Sequence, residues 1–252
     1  MRVCIKAFMC LALLTAGFVG VKSQSTKAAN LDEPASKAYS TVLFAGGDGQ
    51  KNSYYTYAGG IYAFNGNLAY DGLLFRTTGL YGDYDYSSTA VVGGRVDADV
   101  INFNAMVGYQ KFLHPVFARL YVGVEVSDHN LSPNNPLDKN RGTDVGFKIQ
   151  GEIETYYSSP IYGNLVASFG TAKESYWARG RVGYNTGNLI IGPEALLVGD
   201  QEYDEQRVGG FATLRDFGLG ATQFSVALGY SDRSRSRGKK SVYGTIEVST
   251  AF

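Results

Sequence analysis

The chain has 252 residues, of which 44% are hydrophobic and 18% are charged, and its 23 Lys and Arg residues balance its 23 Asp and Glu residues. A chain of this hydrophobicity is not a disordered tail. It is not expected to bind nucleic acid either, because no surplus of positive charge is present to neutralise phosphates. Its 32 Gly and 19 Tyr residues favour many short strands joined by tight turns over a helical bundle.

The first 23 residues have the pattern of a secretory signal peptide. Arg2 and Lys6 precede or flank an apolar run over residues 7–21, which is too short for a membrane-spanning helix. Cleavage after Ser23 removes both cysteines, Cys4 and Cys10, so we expect neither a disulfide nor a thiolate metal site in the mature chain. Residues 24–38 are predicted to form a polar periplasmic leader, and residues 39–252 a single β-barrel domain.

The barrel prediction depends on alternating segments that repeat after the leader. The segment 118–126 is the clearest, since its even positions are apolar and its odd positions include Arg119 and Glu125. Strict alternation is typical of a strand with one apolar face and one polar face. Twelve such segments begin near residues 40, 54, 69, 95, 117, 144, 161, 175, 189, 204, 222 and 241. Because tilted strands of about 9–11 residues cross a bilayer, the pattern predicts an all-β, antiparallel transmembrane β-barrel of about twelve strands.

A soluble β-sandwich or a lipocalin-like barrel would also alternate, with its polar face toward water. Connection lengths favour the membrane barrel: they are short at 65–67, 113–115, 158–160, 186–188 and 216–220, and long at 83–94, 128–142 and 231–240. Short periplasmic turns and longer extracellular loops are typical of outer-membrane barrels. The final Phe252, on the same strand face as Val248, resembles the terminal signal that such barrels present to the barrel assembly machinery.

The polar faces of the predicted strands would line the lumen with charges of both signs. They carry Arg76, Arg119, Lys148, Arg179, Arg181 and Arg207, together with Glu125, Glu152, Glu154, Glu194 and Glu247. Charges away from bulk water must pair or stay hydrated. The set is therefore either an ion-paired network that braces a narrow barrel, or the lining of a polar channel or of a sugar-contacting surface.

Four inward aromatic residues bear on the same alternatives, because they either stack on sugar rings or fill the lumen: Tyr121, Tyr162, Trp177 and Tyr243. Barrels of roughly eight strands have a filled interior and those of roughly sixteen a water channel. Twelve strands lie between these limits, so the strand number leaves both alternatives open.

The sequence offers no catalytic or metal-binding constellation. Asp128, His129 and Ser132 are close in sequence, but a triad requires spatial geometry rather than neighbours along the chain. The spacing of carboxylates around His129 matches no calcium loop. We predict no catalytic residue, metal or cofactor. A basic run in the last predicted outer loop is expected to contact lipopolysaccharide phosphates: Arg233, Arg235, Arg237, Lys239 and Lys240.

Several stretches, taken in order, resemble the BcsS family of bacterial cellulose biosynthesis proteins over residues 40–252. They are TVLFAGGD (41–48), DGLLFR (71–76), VGYQ (107–110), LYVGVE (120–125), DHNLSP (128–133), RGTDVG (141–146), YWAR (176–179) and GPE (192–194). The resemblance implies an outer-membrane-type β-barrel and a role in cellulose production, and it assigns no catalytic residue.

The barrel prediction and the resemblance together favour a non-enzymatic accessory of cellulose biosynthesis, export or anchoring in the bacterial outer membrane. Its expected surroundings are outer-membrane lipid and lipopolysaccharide, and its expected partners are cellulose export components or the glucan itself. Two alternatives remain. A general outer-membrane pore for small polar solutes would need only the barrel and its charged lumen, and a barrel enzyme acting on lipid or glycan would need a catalytic site that the sequence does not reveal.

Overall fold

The computed structural model describes residues 38–156, 158–215, 221–233 and 240–252. The predicted signal peptide, the leader up to residue 37, the predicted turn 216–220 and three of the basic loop residues (Arg235, Arg237 and Lys239) lie outside the described residues. The strands are β1 (Thr41–Gln50), β2 (Ser53–Ala63), β3 (Gly72–Ser87), β4 (Arg95–Leu113), β5 (Val116–Ser132), β6 (Gly142–Thr155), β7 (Ile161–Gly170), β8 (Tyr176–Asn185), β9 (Leu189–Gly199), β10 (Asp204–Arg215), β11 (Thr222–Arg233) and β12 (Ser241–Ala251).

These strands form a closed antiparallel barrel in which each pairs with its neighbours in sequence, and β1 pairs with β12. The register of that seam places Val42 opposite Ala251 and Gln50 opposite Tyr243. The predicted twelve-stranded antiparallel barrel is confirmed. The largest error in a predicted strand start is at β3, which begins at Gly72 rather than near residue 69.

The alternation in the sequence becomes an apolar outer surface and a polar interior. On β5, Leu120, Val122 and Val124 are exposed on the outside, whereas Tyr121 and Glu125 are fully buried inside. A continuous belt of exposed apolar side chains is typical of a barrel that faces lipid. Among the described residues, no helix combines the length and the hydrophobicity needed to cross a membrane.

The two ends of the barrel differ in a way that the predicted connection lengths did not capture. At the end that contains Phe252, the connection between β2 and β3 covers residues 64–71 rather than 65–67, because Leu68 folds into the barrel. The Leu68 backbone N–H donates to the Tyr39 carbonyl at 2.8 Å, and Gln110 donates to the Leu68 carbonyl at 2.7 Å.

At the opposite end the predicted long loops were too long, because the strands themselves continue. The connections there are 88–94 and 133–141, since β3 runs to Ser87 and β5 to Ser132. Strands β4 and β5 have 19 and 17 residues, more than a bilayer-spanning strand of about 9–11 residues requires. The asymmetry between the ends therefore lies in strand length as much as in loop length.

Apolar clusters inside the barrel occupy both ends. The Phe252 end is filled by Tyr39, Ile61, Ala63, Leu68, Leu74, Met106 and Tyr121. The opposite end has a smaller cluster of Val96, Ala98 and Leu131, against which Tyr84, Tyr86 and Val91 pack. A third cluster contains Ile190, Phe211 and Ala227. The polar groups of the interior lie between and around these clusters.

Candidate functional site

The structure places the predicted lumen charges on the inward faces of their strands, where they form three groups and one separate pair. The first is centred on Glu152 of β6, which accepts hydrogen bonds from Arg76 at 3.0 Å and from Arg119 at 3.3 Å. Gln150 donates to the same carboxylate at 2.7 Å. Glu154, two residues further along β6, accepts from the Tyr162 hydroxyl at 3.1 Å. This group joins β3, β5, β6 and β7.

The second group, centred on Glu247 of β12, crosses the lumen. Arg179 and Arg181 of β8 each lie 2.8 Å from this carboxylate, and the Tyr57 hydroxyl of β2 donates to it at 2.6 Å. Since β2 and β8 lie on opposite sides of a twelve-stranded ring, Glu247 connects the two walls. Arg181 also lies 2.5 Å from Glu194 on the neighbouring strand.

The third group lies toward the 133–141 end and is centred on Glu205 of β10. Arg207 lies 2.5 Å from this carboxylate, and Gln50 of β1 donates to it at 2.9 Å. Arg207 also pairs with Asp48 of β1. A separate pair joins Lys148 to Glu125 at 2.8 Å.

Sequence reasoning missed several members of these groups, including Asp48, Tyr57, Gln150 and Glu205. Strand β1 has Gly at 46, 47 and 49, so its alternation is weak and the inward position of Asp48 is not evident. The spacing of Glu205 and Arg207, two residues apart on one strand face, was a signal that could have identified Glu205.

The four inward aromatic residues, expected either to stack on sugar rings or to fill the lumen, have different surroundings. Tyr121 and Tyr243 are buried, and the Tyr243 hydroxyl donates to Glu194 at 3.0 Å. The Tyr162 ring packs near Phe211, with 6.0 Å between centroids. Trp177 remains half-buried, with the Arg179 guanidinium 5.3 Å from its ring centroid. Three of the four are thus involved in internal packing.

Hydrogen bonds join the connections at the 133–141 end into a rim. Asn140 donates to Asp200 at 2.8 Å, Lys173 donates to the Arg141 carbonyl at 3.3 Å, and the Gln201 backbone donates to the Lys173 carbonyl at 3.0 Å. Burial under this rim raises the pKa of Asp200 above its ordinary value. The rim holds one side of this end of the barrel in a single arrangement.

The residues Asp128, His129 and Ser132 do not assemble into a triad. His129 points inward and its Nδ1 lies 3.0 Å from the Tyr84 hydroxyl, whereas the Asp128 carboxylate accepts from Thr143 at 2.6 Å on the outer surface. Adjacent residues of a strand face opposite sides of the sheet. Among the described residues, no group of three or more His, Cys, Asp and Glu side chains could hold a metal ion.

Comparison with known proteins gives one family match. The model of a family described as "Cellulose biosynthesis protein BcsS" matches residues 42–252. No curated protein matches the chain.

Solved structures of similar shape include a KdgM porin in complex with disordered oligogalacturonate, at 9% identity and a TM-score of 0.42, covering 84% of this chain and 99% of that one. The β-domain of the Bordetella autotransporter BrkA is similar at 10% identity and a TM-score of 0.46, covering 86% and 100%. Identities this low transfer no substrate or transport activity to this chain.

Proposed function

The chain belongs to the BcsS family of cellulose biosynthesis proteins, and we propose that it is a non-enzymatic accessory of cellulose export or anchoring in the bacterial outer membrane. The apolar outer belt supports a bilayer location. Lipid and lipopolysaccharide are then its surroundings, the barrel assembly machinery inserts it, and cellulose export components or the glucan are its partners.

The main support for the accessory role is the network of ion pairs that crosses the lumen and braces the barrel. Arg181, Glu194, Glu205 and Arg207 are buried in the interior, and their ion pairs join strands across it. Taking charges out of water costs several kcal/mol per ion unless partners compensate, so these groups stabilise the barrel best when the network stays intact. A lumen filled in this way suits a structural role better than free passage of solutes.

A deletion of the gene tests this role, with cellulose measured separately in the cell pellet and in the medium. We expect cell-associated cellulose to fall, and re-expression of the wild-type chain to restore it. Unchanged cellulose in both fractions would contradict a role in export or anchoring.

A pore remains the second candidate, because the side chains of Arg179 and Glu247 keep 16% and 19% of their surface exposed inside the barrel. Planar-bilayer recordings of the purified chain distinguish the two functions. We expect no steady conductance steps from a braced lumen, whereas large and stable steps would favour the pore and contradict the accessory role.

A further inference from the structure

The interior of the barrel is not completely filled by side chains. Beside the first charged group, Tyr121 and Gln110 have no exposed surface, although Arg76 keeps 16% of its side chain exposed. Elsewhere in the lumen, the side chains of Lys148, Arg179 and Glu247 are 14%, 16% and 19% exposed. Because these side chains point inward, their exposed fraction measures space for water inside the barrel rather than contact with its outer surface.

Trp177 lies beside this space. It is half-buried and is the second residue of β8, just after the connection 171–175 at the 133–141 end. Arg179 lies two residues further along the same strand face, and Ser168 of β7 is directly opposite Trp177 in the register. Lys148 of β6 is opposite Gly170, so it is a diagonal neighbour of Ser168 on the inner face.

Two guanidinium groups on the same strand as Trp177 have N–H donors without a hydrogen-bond acceptor among the described residues. The Nε of Arg179 and the Nη2 of Arg181 are buried and have no hydrogen-bond partner among the described residues. Buried donors of this kind are normally satisfied by water or by a ligand. The nearby Glu247 has further acceptor capacity, since a carboxylate offers about four lone-pair sites.

We propose that Trp177, Arg179, Ser168, Lys148 and Glu247 form a pocket, the Trp177 pocket, that binds a short segment of a neutral saccharide chain such as a β-glucan. The ring of Trp177 offers a flat apolar face for a sugar ring, and the surrounding donors and acceptors match sugar hydroxyls. A few polar groups around an aromatic surface are the usual composition of a small-ligand site. The choice of a glucan rests on the proposed function in cellulose biosynthesis.

Charge balance selects a neutral ligand over an anionic one. Each cation of the Trp177 pocket already has a carboxylate partner: Arg179 pairs with Glu247 and Lys148 with Glu125. An anionic sugar would have to displace one of these carboxylates or remain beside it, which costs free energy through like-charge repulsion. A neutral saccharide can bind with both pairs intact.

The chain contains a single Trp, so its intrinsic tryptophan fluorescence reports on the Trp177 pocket alone. We would titrate the purified full chain in detergent micelles with cellotetraose, and in parallel with a glucuronic acid oligomer of equal length. The expected result is a saturable change with cellotetraose, accompanied by protection from acrylamide quenching, and no change with the acidic oligomer. No response to cellotetraose, or an equal response to both, would overturn the proposal.

A matched pair of variants distinguishes the pocket from binding elsewhere. Ser168→Leu fills the space opposite Trp177, whereas Ala167→Leu adds the same group on the exposed outer face of the same strand. We expect Ser168→Leu to weaken cellotetraose binding by about tenfold or more, and Ala167→Leu to leave it unchanged. Equal effects of the two variants would place the binding elsewhere. Because the cellulose phenotype of the gene deletion is measured independently, failure here leaves the accessory role intact.

Discussion

Arg181 is one of the most buried cations of the lumen. Its side chain is 6% exposed and lies 2.5 Å from Glu194 and 2.8 Å from Glu247. Replacing it with Met leaves both carboxylates in the interior with one cation fewer, and breaking a buried pair from one side costs about 3–5 kcal/mol. We therefore predict a loss of this size in the free energy of unfolding of Arg181→Met, measured by urea titration of the barrel refolded in lipid vesicles.

Arg95 provides the control, since it also contacts two carboxylates, Asp85 and Asp97, but is 66% exposed on the outer surface. An exposed pair contributes only about 0–1 kcal/mol, so Arg95→Met should leave the urea midpoint almost unchanged. A loss of stability for Arg181→Met as small as that for Arg95→Met would mean that the Arg181 pairs are hydrated rather than buried.

Gly192 lies where two backbones approach each other inside the barrel. A Cβ at this position would contact the carbonyl oxygen of Val182 and the Cα of Gly183, both of them backbone atoms on the neighbouring strand. Overpacking of this kind costs about 1–3 kcal/mol, and we predict such a loss of stability for Gly192→Ala in the same urea titration.

The matching substitution is Gly151→Ala on the outer face of β6, where a Cβ would meet nothing within 4 Å. A Gly to Ala change at a compatible position stabilises by about 0.4–1 kcal/mol through the unfolded chain. Destabilisation by Gly151→Ala as large as that by Gly192→Ala would exclude close backbone packing as the reason for the glycine.

At the scale of the strand, the sequence predicts which side chains face outward and which face the lumen. It does not predict which lumen side chains contact each other. The alternation in 118–126 and in the segment that begins near residue 144 was enough to predict that Leu120 faces outward and Glu152 inward. It could not predict that Arg179 pairs with Glu247, because that contact joins strands far apart in sequence. The predicted strand ends were wrong where strands are longer than a bilayer-spanning strand. The polar residues 128–132 of β5 have a loop-like composition, but they remain paired with β4.

The last strand, β12, supplies a further prediction. Phe252 follows it, and its backbone forms three hydrogen bonds with the beginning of the barrel: its carbonyl accepts from Ser40 and Thr41, and its N–H donates to Thr41 at 2.9 Å. Deleting Phe252 would remove these bonds together with the side chain, so Phe252→Ala is the sharper test of an assembly signal. We predict that Phe252→Ala reduces the amount of folded protein in the outer membrane of cells.

Refolding of the same variant in vitro is the control for the barrel itself. Because Phe252→Ala keeps the three backbone bonds, the purified variant should refold in detergent with the heat-modifiable gel migration of the wild type. Normal amounts of folded protein in cells would contradict the assembly role of the side chain, and poor refolding in vitro would assign the defect to the barrel seam instead.

At the scale of the whole molecule, the barrel has one end with short turns and one with extended strands. The Phe252 end contains the short turns 114–115 and 186–188, whereas β3 to β6 continue past the barrel wall toward the connections 88–94 and 133–141. Outer-membrane barrels keep short turns on the periplasmic side and longer structures outside the cell. We therefore expect the 133–141 end to face the cell exterior, which would also open the Trp177 pocket toward that side.

Single cysteines on intact cells test this orientation, because the two native cysteines lie in the predicted signal peptide. Lys139 is exposed in the connection 133–141, and Asn188 is exposed in the turn 186–188. Asn135, in the same connection as Lys139, is unsuitable for labelling because it is buried. We predict that Lys139→Cys reacts with a membrane-impermeant maleimide on intact cells, and that Asn188→Cys reacts only after the outer membrane is permeabilised. Labelling of Asn188→Cys alone would reverse the orientation, and labelling of both on intact cells would contradict a barrel that spans the membrane.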